Sequence, residues 1–114
     1  MLCTNELNLE VSDDVEILMV EENGVGKNHP FSGEKLSPVL SVYKVKNFDE
    51  AKELAKQILN YQGIGHSIGI HTKKDERILE LGIDLPVCRV IVNQVNCVVV
   101  LLTRFHLLWD VITD

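Results

Sequence analysis

The chain has 114 residues, with 11 lysines and arginines against 17 aspartates and glutamates, so its formal net charge is −6. A hydrophobic fraction of 46% with 25% charged residues excludes a disordered chain. The acidic balance argues against a nucleic-acid partner, which needs clustered basic residues. Because no apolar run is long enough to cross a bilayer and the start lacks a signal-peptide layout, we expect one cytoplasmic domain with no membrane partner.

The first half of the chain predicts two strands separated by a long loop. A short apolar run at residues 15–20 is bounded by acidic residues and predicts a buried strand. The β-branched run at residues 38–45 predicts a second strand. The loop between them, residues 22–36, is rich in Gly, Asn, His, Pro and Ser. Loops of this length are more often functional than idle.

The strongest local signal predicts a helix from Phe48 to about Tyr61. Asn47 is a good N-cap, and Glu50 is spaced to complete a capping box with it. Gly63 follows where a left-handed residue ends a helix. The apolar residues recur at helical spacing on one face: Ala51, Leu54, Ala55, Ile58 and Leu59.

The second half adds a strand at residues 66–71, a helix at 73–81 between Thr72 and Gly82, and a strand at 87–92. The order β-loop-β-α-β-α-β predicts the α/β class with a mostly parallel sheet, because each strand-helix-strand crossover favours parallel neighbours.

The last twenty residues differ in character from the rest. They hold the single tryptophan and contain no Gly or Pro. The apolar run at 98–102 fits an edge strand, whereas residues 104–114 show neither a period nor a cap. We therefore divide the chain into residues 1–94 and a divergent tail, residues 95–114.

The cysteines and histidines predict neither a disulfide framework nor a metal site. The chain has an odd number of cysteines, Cys3, Cys88 and Cys97, at wide and unrelated spacings, and no Cys-x-x-Cys motif occurs. His66 and His71 are five residues apart on a predicted strand, which places them on opposite faces. Cys88 lies in an apolar run, where a thiol usually acts as a small hydrophobic group.

Two other residues attract attention because they stand at loop–strand junctions, where α/β proteins place much of their chemistry. Glu34 precedes the second strand and His66 begins the third. Each also has an ordinary interpretation, a surface carboxylate and a junction histidine. By contrast, residues 24–27 (Gly-Val-Gly-Lys) lack the spacing of a phosphate loop and fit a solvated turn.

Three segments in the same order resemble the CoA-acylating aldehyde dehydrogenases. They are residues 27–40 (KNHPFSGEKLSPVL), 61–72 (YQGIGHSIGIHT) and 85–94 (LPVCRVIVNQ). The sulfoacetaldehyde and succinate-semialdehyde dehydrogenases resemble them most, and the acetaldehyde dehydrogenase half of aldehyde-alcohol dehydrogenases is similar. The resemblance covers about residues 11–94 and implies the C-terminal part of an aldehyde dehydrogenase catalytic domain.

The resemblance implies an oxidoreductase that converts a small aldehyde and coenzyme A to acyl-CoA with NAD or NADP. Because the rest of such an enzyme would cover faces of the sheet and helices that this part leaves exposed, we expect the chain to self-associate as a homo-oligomer. Glu34 matches the glutamate that binds the nicotinamide ribose, and Leu36 matches the apolar residue that packs near this cofactor. His66 matches the histidine that marks the CoA-acylating members. Its implied catalytic role is in acyl transfer, either positioning CoA or handling a proton.

Two departures from the family pattern limit what the chain does alone. The nucleophilic cysteine and the cofactor domain belong to family segments upstream of the resemblance, so we expect the isolated chain to be inactive. The alternative is a noncatalytic α/β module that self-associates or binds a protein partner.

Beyond residue 94 the family has Gly-Gly-Ser-Phe-Thr-Asn, and codons for it shifted by one base read Val-Val-Val-Leu-Leu, the sequence at 98–102. The tail is thus interpreted as frameshifted.

Overall fold

The computed structural model describes residues 13–35, 38–94 and 108–112. Every strand pairing within these ranges is parallel, which confirms the α/β class. The elements, in chain order, are β1 (Leu18–Glu21), β2 (Val39–Val42), α1 (Phe48–Tyr61), β3 (Ser67–His71), α2 (Asp75–Asp84), β4 (Arg89–Val92) and β5 (Leu108–Ile112).

The described strands form two sheets rather than one. β1 pairs with β2, and a separate sheet has the order β4-β3-β5. The crossover through α2 joins parallel neighbours as expected, but the crossover through α1 does not, because both edges of β3 are already paired with β4 and β5. The expectation that β2 and β3 are neighbours is therefore wrong.

Helix α1 has the predicted bounds and the predicted N-cap. The side chain of Asn47 accepts a hydrogen bond from the Glu50 N–H at 2.9 Å. The capping box itself does not form, since the Glu50 carboxylate accepts the N–H of Lys46 at 2.7 Å instead. Phe48 and Leu59 are buried on the inner face of this helix.

Helix α2 begins and ends later than the sequence predicts. Thr72 does not cap it, because its hydroxyl accepts the Lys74 N–H at 3.1 Å in a local turn that precedes the helix. The N-cap is Lys74, and the helix continues through Gly82 to Asp84. Pro86 follows directly after the C-cap, Leu85, where a proline stops a helix.

The core lies between the two helices and the three-stranded sheet. Its buried members are Phe48, Leu59, Ile68, Ile70, Leu81 and Leu85. Both faces of β3 are buried, which is typical of a central parallel strand. None of the helices in the described ranges is long and apolar enough to cross a membrane.

The tail contributes a strand that the sequence does not predict. β5, at Leu108–Ile112, pairs in parallel with β3, with Ser67 opposite Leu108 and His71 opposite Ile112. Residues 104–114 show no strand period, so the sequence pattern alone does not indicate this strand. The run at 98–102, predicted as an edge strand, lies outside the described residues.

Candidate functional site

The loop from Glu22 to Lys35, here called the connecting loop, is held by its own hydrogen bonds. Ser32 is fully buried. Its hydroxyl donates to the His29 carbonyl at 2.7 Å and accepts the Gly26 N–H at 3.0 Å. Backbone bonds of 2.9 Å from His29 to Gly26 and from Ser32 to His29 close two turns. The loop is thus a built structure and not only the solvated turn expected at residues 24–27.

A side-chain hydrogen bond anchors the beginning of the connecting loop. His29 Nδ1 lies 2.8 Å from Glu22 Oε1. This hydrogen bond is the largest cause of a lowered pKa at Glu22, and the N–H of Asn23 lowers that pKa further. The carboxylate therefore stays ionised at neutral pH and holds the imidazole against the loop.

Two further side chains anchor the connecting loop, one at its end and one near its start. The ammonium of Lys35 donates to the carbonyls of Phe31 at 2.6 Å and Gly33 at 2.9 Å, and its burial lowers its pKa. The hydroxyl of Tyr43 donates to the Gly24 carbonyl at 3.0 Å, and burial together with a nearby carboxylate raises the pKa of Tyr43 to about 12. The Lys35 contacts hold the backbone that leads into Glu34, and the Tyr43 contact holds the loop near its start.

Glu34 is exposed at the tip of this anchored segment. Its backbone N–H donates to the side-chain oxygen Oε1 of Gln62 at 2.8 Å. Among the described residues, no basic side chain forms an ion pair with the Glu34 carboxylate. An exposed carboxylate on a fixed backbone is suited to accept hydrogen bonds from a hydroxyl-bearing ligand.

His66 is half-buried and ends the turn that joins α1 to β3. Gly65 has a positive φ of 84°, a conformation that favours glycine, and Gly63 also has a positive φ, of 150°. The His66 N–H donates to the Gly63 carbonyl at 3.1 Å, and the Cys88 N–H donates to the His66 carbonyl at 3.1 Å. The His66 backbone is therefore held by its own turn and by the segment that leads into β4.

The structure brings the Glu34 segment and the His66 segment together through Gln62. Gln62 is the C-cap of α1, and the turn that it begins leads directly to His66. His71 is at the other end of β3, so the two histidines are separated by the length of that strand. Leu36, the third predicted site residue, lies outside the described residues.

Sequence reasoning misplaced one cysteine and missed two residues that shape the site. Cys88 is exposed and precedes β4, so it is not a small hydrophobic group within a strand. Gln62 and Asn93 act through hydrogen bonds to residues 28 and 21 positions away, and no local pattern signals such contacts.

In the part of the chain that the structure describes, no three His, Cys, Asp or Glu residues cluster as metal ligands.

No family model matches the chain, but several individual proteins are similar to it. The sulfoacetaldehyde dehydrogenase (acylating) of Cupriavidus necator is 51% identical over 81 residues, which are 71% of this chain and 16% of that protein. The succinate-semialdehyde dehydrogenase (acetylating) of Clostridium kluyveri is 36% identical over 86 residues, 75% of this chain and 19% of that protein.

The solved structures give the same answer. A crystal structure of an acetylating aldehyde dehydrogenase from Geobacillus thermoglucosidasius matches with a TM-score of 0.75 and 43% identity, over 81% of this chain and 20% of that one. This chain belongs to the CoA-acylating aldehyde dehydrogenases. The chain spans only about a sixth to a fifth of the length of these relatives.

Proposed function

We propose that the chain supplies part of the active site of an NAD(P)-dependent aldehyde dehydrogenase that forms acyl-CoA from a small aldehyde. The observation that carries this proposal is the hydrogen bond of 2.8 Å from the Glu34 N–H to Gln62. It connects two of the segments that resemble the family, which are far apart in sequence. Such a connection is expected if both segments serve one site.

Glu34 is the proposed contact to the nicotinamide ribose. Its exposed carboxylate offers hydrogen-bond acceptors, and ribose hydroxyls are donors of matching chemistry. When bound, NAD or NADP supplies the hydride acceptor of the reaction. Leu36 is proposed to pack near the same cofactor, two residues further along the chain.

His66 is the proposed catalytic residue of the CoA side. An imidazole can donate a hydrogen bond to CoA or exchange a proton near neutral pH, and both tasks fit acyl transfer. The turn that holds the His66 backbone leaves the side chain half-buried, which limits its orientations while keeping it within reach of a ligand. His66 is proposed for either role, positioning CoA or handling a proton.

A second candidate function is a noncatalytic module that self-associates, and one surface favours it. Met19 and Leu40 are paired across β1 and β2 and are 68% and 50% exposed. Ile17, two residues before Met19, is 60% exposed. Exposed apolar patches of this kind favour association, so we propose that the isolated chain forms homo-oligomers. A monomer in analytical ultracentrifugation at high concentration would contradict this.

The proposed enzymatic function is tested with two proteins. The first is the isolated chain, for which we expect no formation of acyl-CoA or NADH. The second is a chimera, defined as the Cupriavidus necator enzyme whose matched 81-residue stretch is replaced by the corresponding residues of this chain. We expect the chimera to oxidise sulfoacetaldehyde in the presence of CoA and NAD or NADP. A chimera that folds like its parent, by circular dichroism and oligomeric mass, and shows no turnover would overturn the proposal.

A further inference from the structure

Gln62 has two structural tasks at the same point of the fold. Its backbone N–H donates to the Ile58 carbonyl at 2.9 Å and so closes α1. Its side-chain oxygen Oε1 accepts the Glu34 N–H at 2.8 Å. The helix end therefore holds the backbone of the proposed ribose contact and leaves the Glu34 carboxylate itself unengaged by Gln62.

Gly33 makes this approach possible. Gly33 is buried, and a Cβ placed on it would lie 2.4 Å from Gln62 Oε1 and 3.2 Å from Gln62 Cδ. Carbon and oxygen do not approach so closely, so any side chain at position 33 would displace the amide of Gln62. A Cβ at position 33 would also lie 3.6 Å from Tyr61 Cε1, in ordinary contact. The missing side chain of Gly33 thus makes room for the Gln62 amide in particular.

We propose that Gln62 is a positioning residue for Glu34, and that it sets where the Glu34 carboxylate meets the nicotinamide ribose. This inference rests on the proposed role of Glu34. Because Gln62 also begins the turn that ends at His66, the same hydrogen bond links the Glu34 backbone to the turn that leads to His66. A substitution at Gln62 therefore alters cofactor binding without touching the cofactor.

Amide exchange in the 114-residue chain tests the contact itself. Gln62→Met keeps the side-chain length but removes the acceptor, whereas Gln62→Glu keeps an acceptor oxygen at the same reach. We expect the Glu34 N–H to exchange with solvent about tenfold faster in Gln62→Met and at about the parent rate in Gln62→Glu. Gly33→Ala is expected to accelerate the exchange as Gln62→Met does. Equal Glu34 exchange in the parent chain and Gln62→Met would overturn the inference.

Cofactor binding in the chimera tests the consequence. We expect Gln62→Met to raise the KM for NAD about threefold to tenfold with little change in kcat, and Gln62→Glu to restore the parent value. Glu34→Gln serves to separate two failures. If Glu34→Gln raises this KM and Gln62→Met does not, Gln62 is not a positioning residue. If Glu34→Gln itself has no effect, the proposed function of Glu34 is wrong.

Discussion

The side chain of Asn93 is joined to the backbone of Thr72 by two hydrogen bonds of 2.9 Å, one in each direction. Asn93 follows β4 and Thr72 follows β3, so this pair of hydrogen bonds joins the two strands at their carboxyl ends. At the opposite end of the same strands, the Cys88 N–H donates to the His66 carbonyl. The register that places His66 is thereby held at both ends.

Substitution of Asn93 is expected to destabilise the fold. Asn93 has a positive φ of 51°, which disfavours most side chains. Asn93→Gly removes both hydrogen bonds without a conformational penalty and should cost about 1–2 kcal/mol of unfolding free energy. Asn93→Ala should cost about 1 kcal/mol more, because alanine resists this conformation. Urea denaturation measures both, and equal stability of the alanine and glycine variants would contradict the conformational argument.

A second prediction concerns Lys52, whose ammonium joins α1 to α2. It lies 2.8 Å from Asp84 Oδ2 and 2.9 Å from Glu80 Oε2. The hydrogen bond from Lys52 is the largest cause of a lowered pKa at Asp84, and the charge of Lys56 lowers that pKa by a smaller amount. We expect Lys52→Met to return the Asp84 pKa towards 3.8, as followed by carboxyl-carbon NMR, and Lys56→Met to move it less.

The same pair predicts the direction of a pH effect. Because the folded-state pKa of Asp84 is lowered, its stabilising contribution is complete above about pH 4 and is lost as the pH falls through the lowered value. The raised pKa of Lys52 acts in the other direction, so its contribution is lost only at strongly alkaline pH. A Lys52→Met variant that loses stability on acidification as steeply as the parent would contradict this assignment.

A third prediction concerns Cys88, which is exposed and whose N–H donates to the His66 carbonyl just before β4 and β3 begin. We expect its thiol to react with Ellman's reagent in the folded chain. The resemblance implies a nucleophile in another segment, and on that basis we expect Cys88→Ser in the chimera to keep kcat within about twofold of the unsubstituted chimera. A loss of about a hundredfold or more, with folding unchanged, would instead identify Cys88 as the nucleophile.

A fourth prediction concerns the origin of the tail. If residues 95–114 are frameshifted, the gene read in the neighbouring frame after residue 94 encodes the Gly-rich family segment. DNA sequencing of the gene and its transcript decides this. Absence of Gly-Gly-Ser-Phe-Thr-Asn from both alternative frames would refute the frameshift and leave the tail as a true divergence.

Local signals predicted the parts of the fold that depend on neighbouring residues. The Asn47 cap and the apolar stripe of α1 lie within one helix, so the bounds of that helix were predicted to the residue. The strand neighbours of β3 were not predicted correctly, because they depend on which distant strands pair with its edges. One of them, β5, lies in a stretch without strand periodicity. The start of α2 was missed because the Thr72 hydroxyl accepts the Lys74 N–H in a turn before the helix, so Lys74 and not Thr72 is the N-cap.

The candidate site divides in the same way. Glu34 and His66 attracted attention at loop–strand junctions, but their proposed roles come from the resemblance of whole segments to one family. Gln62 has no local signature, since its importance arises only when the connecting loop folds back on the end of α1. Composition and spacing therefore indicate candidate residues such as Glu34 and His66, but not Gln62, whose side chain holds the Glu34 backbone.

The most direct test of the account is a comparison of Glu34→Gln and His66→Asn in the chimera. We expect Glu34→Gln to raise the KM for NAD about tenfold or more, with the KM for CoA changed less than about twofold. We expect His66→Asn to leave the first-turnover formation of NADH close to that of the unsubstituted chimera while slowing steady-state acyl-CoA formation. Parent-like kinetics in both variants, with the chimera folded and active, would contradict the central claim that this chain carries the ribose contact and the CoA-side histidine.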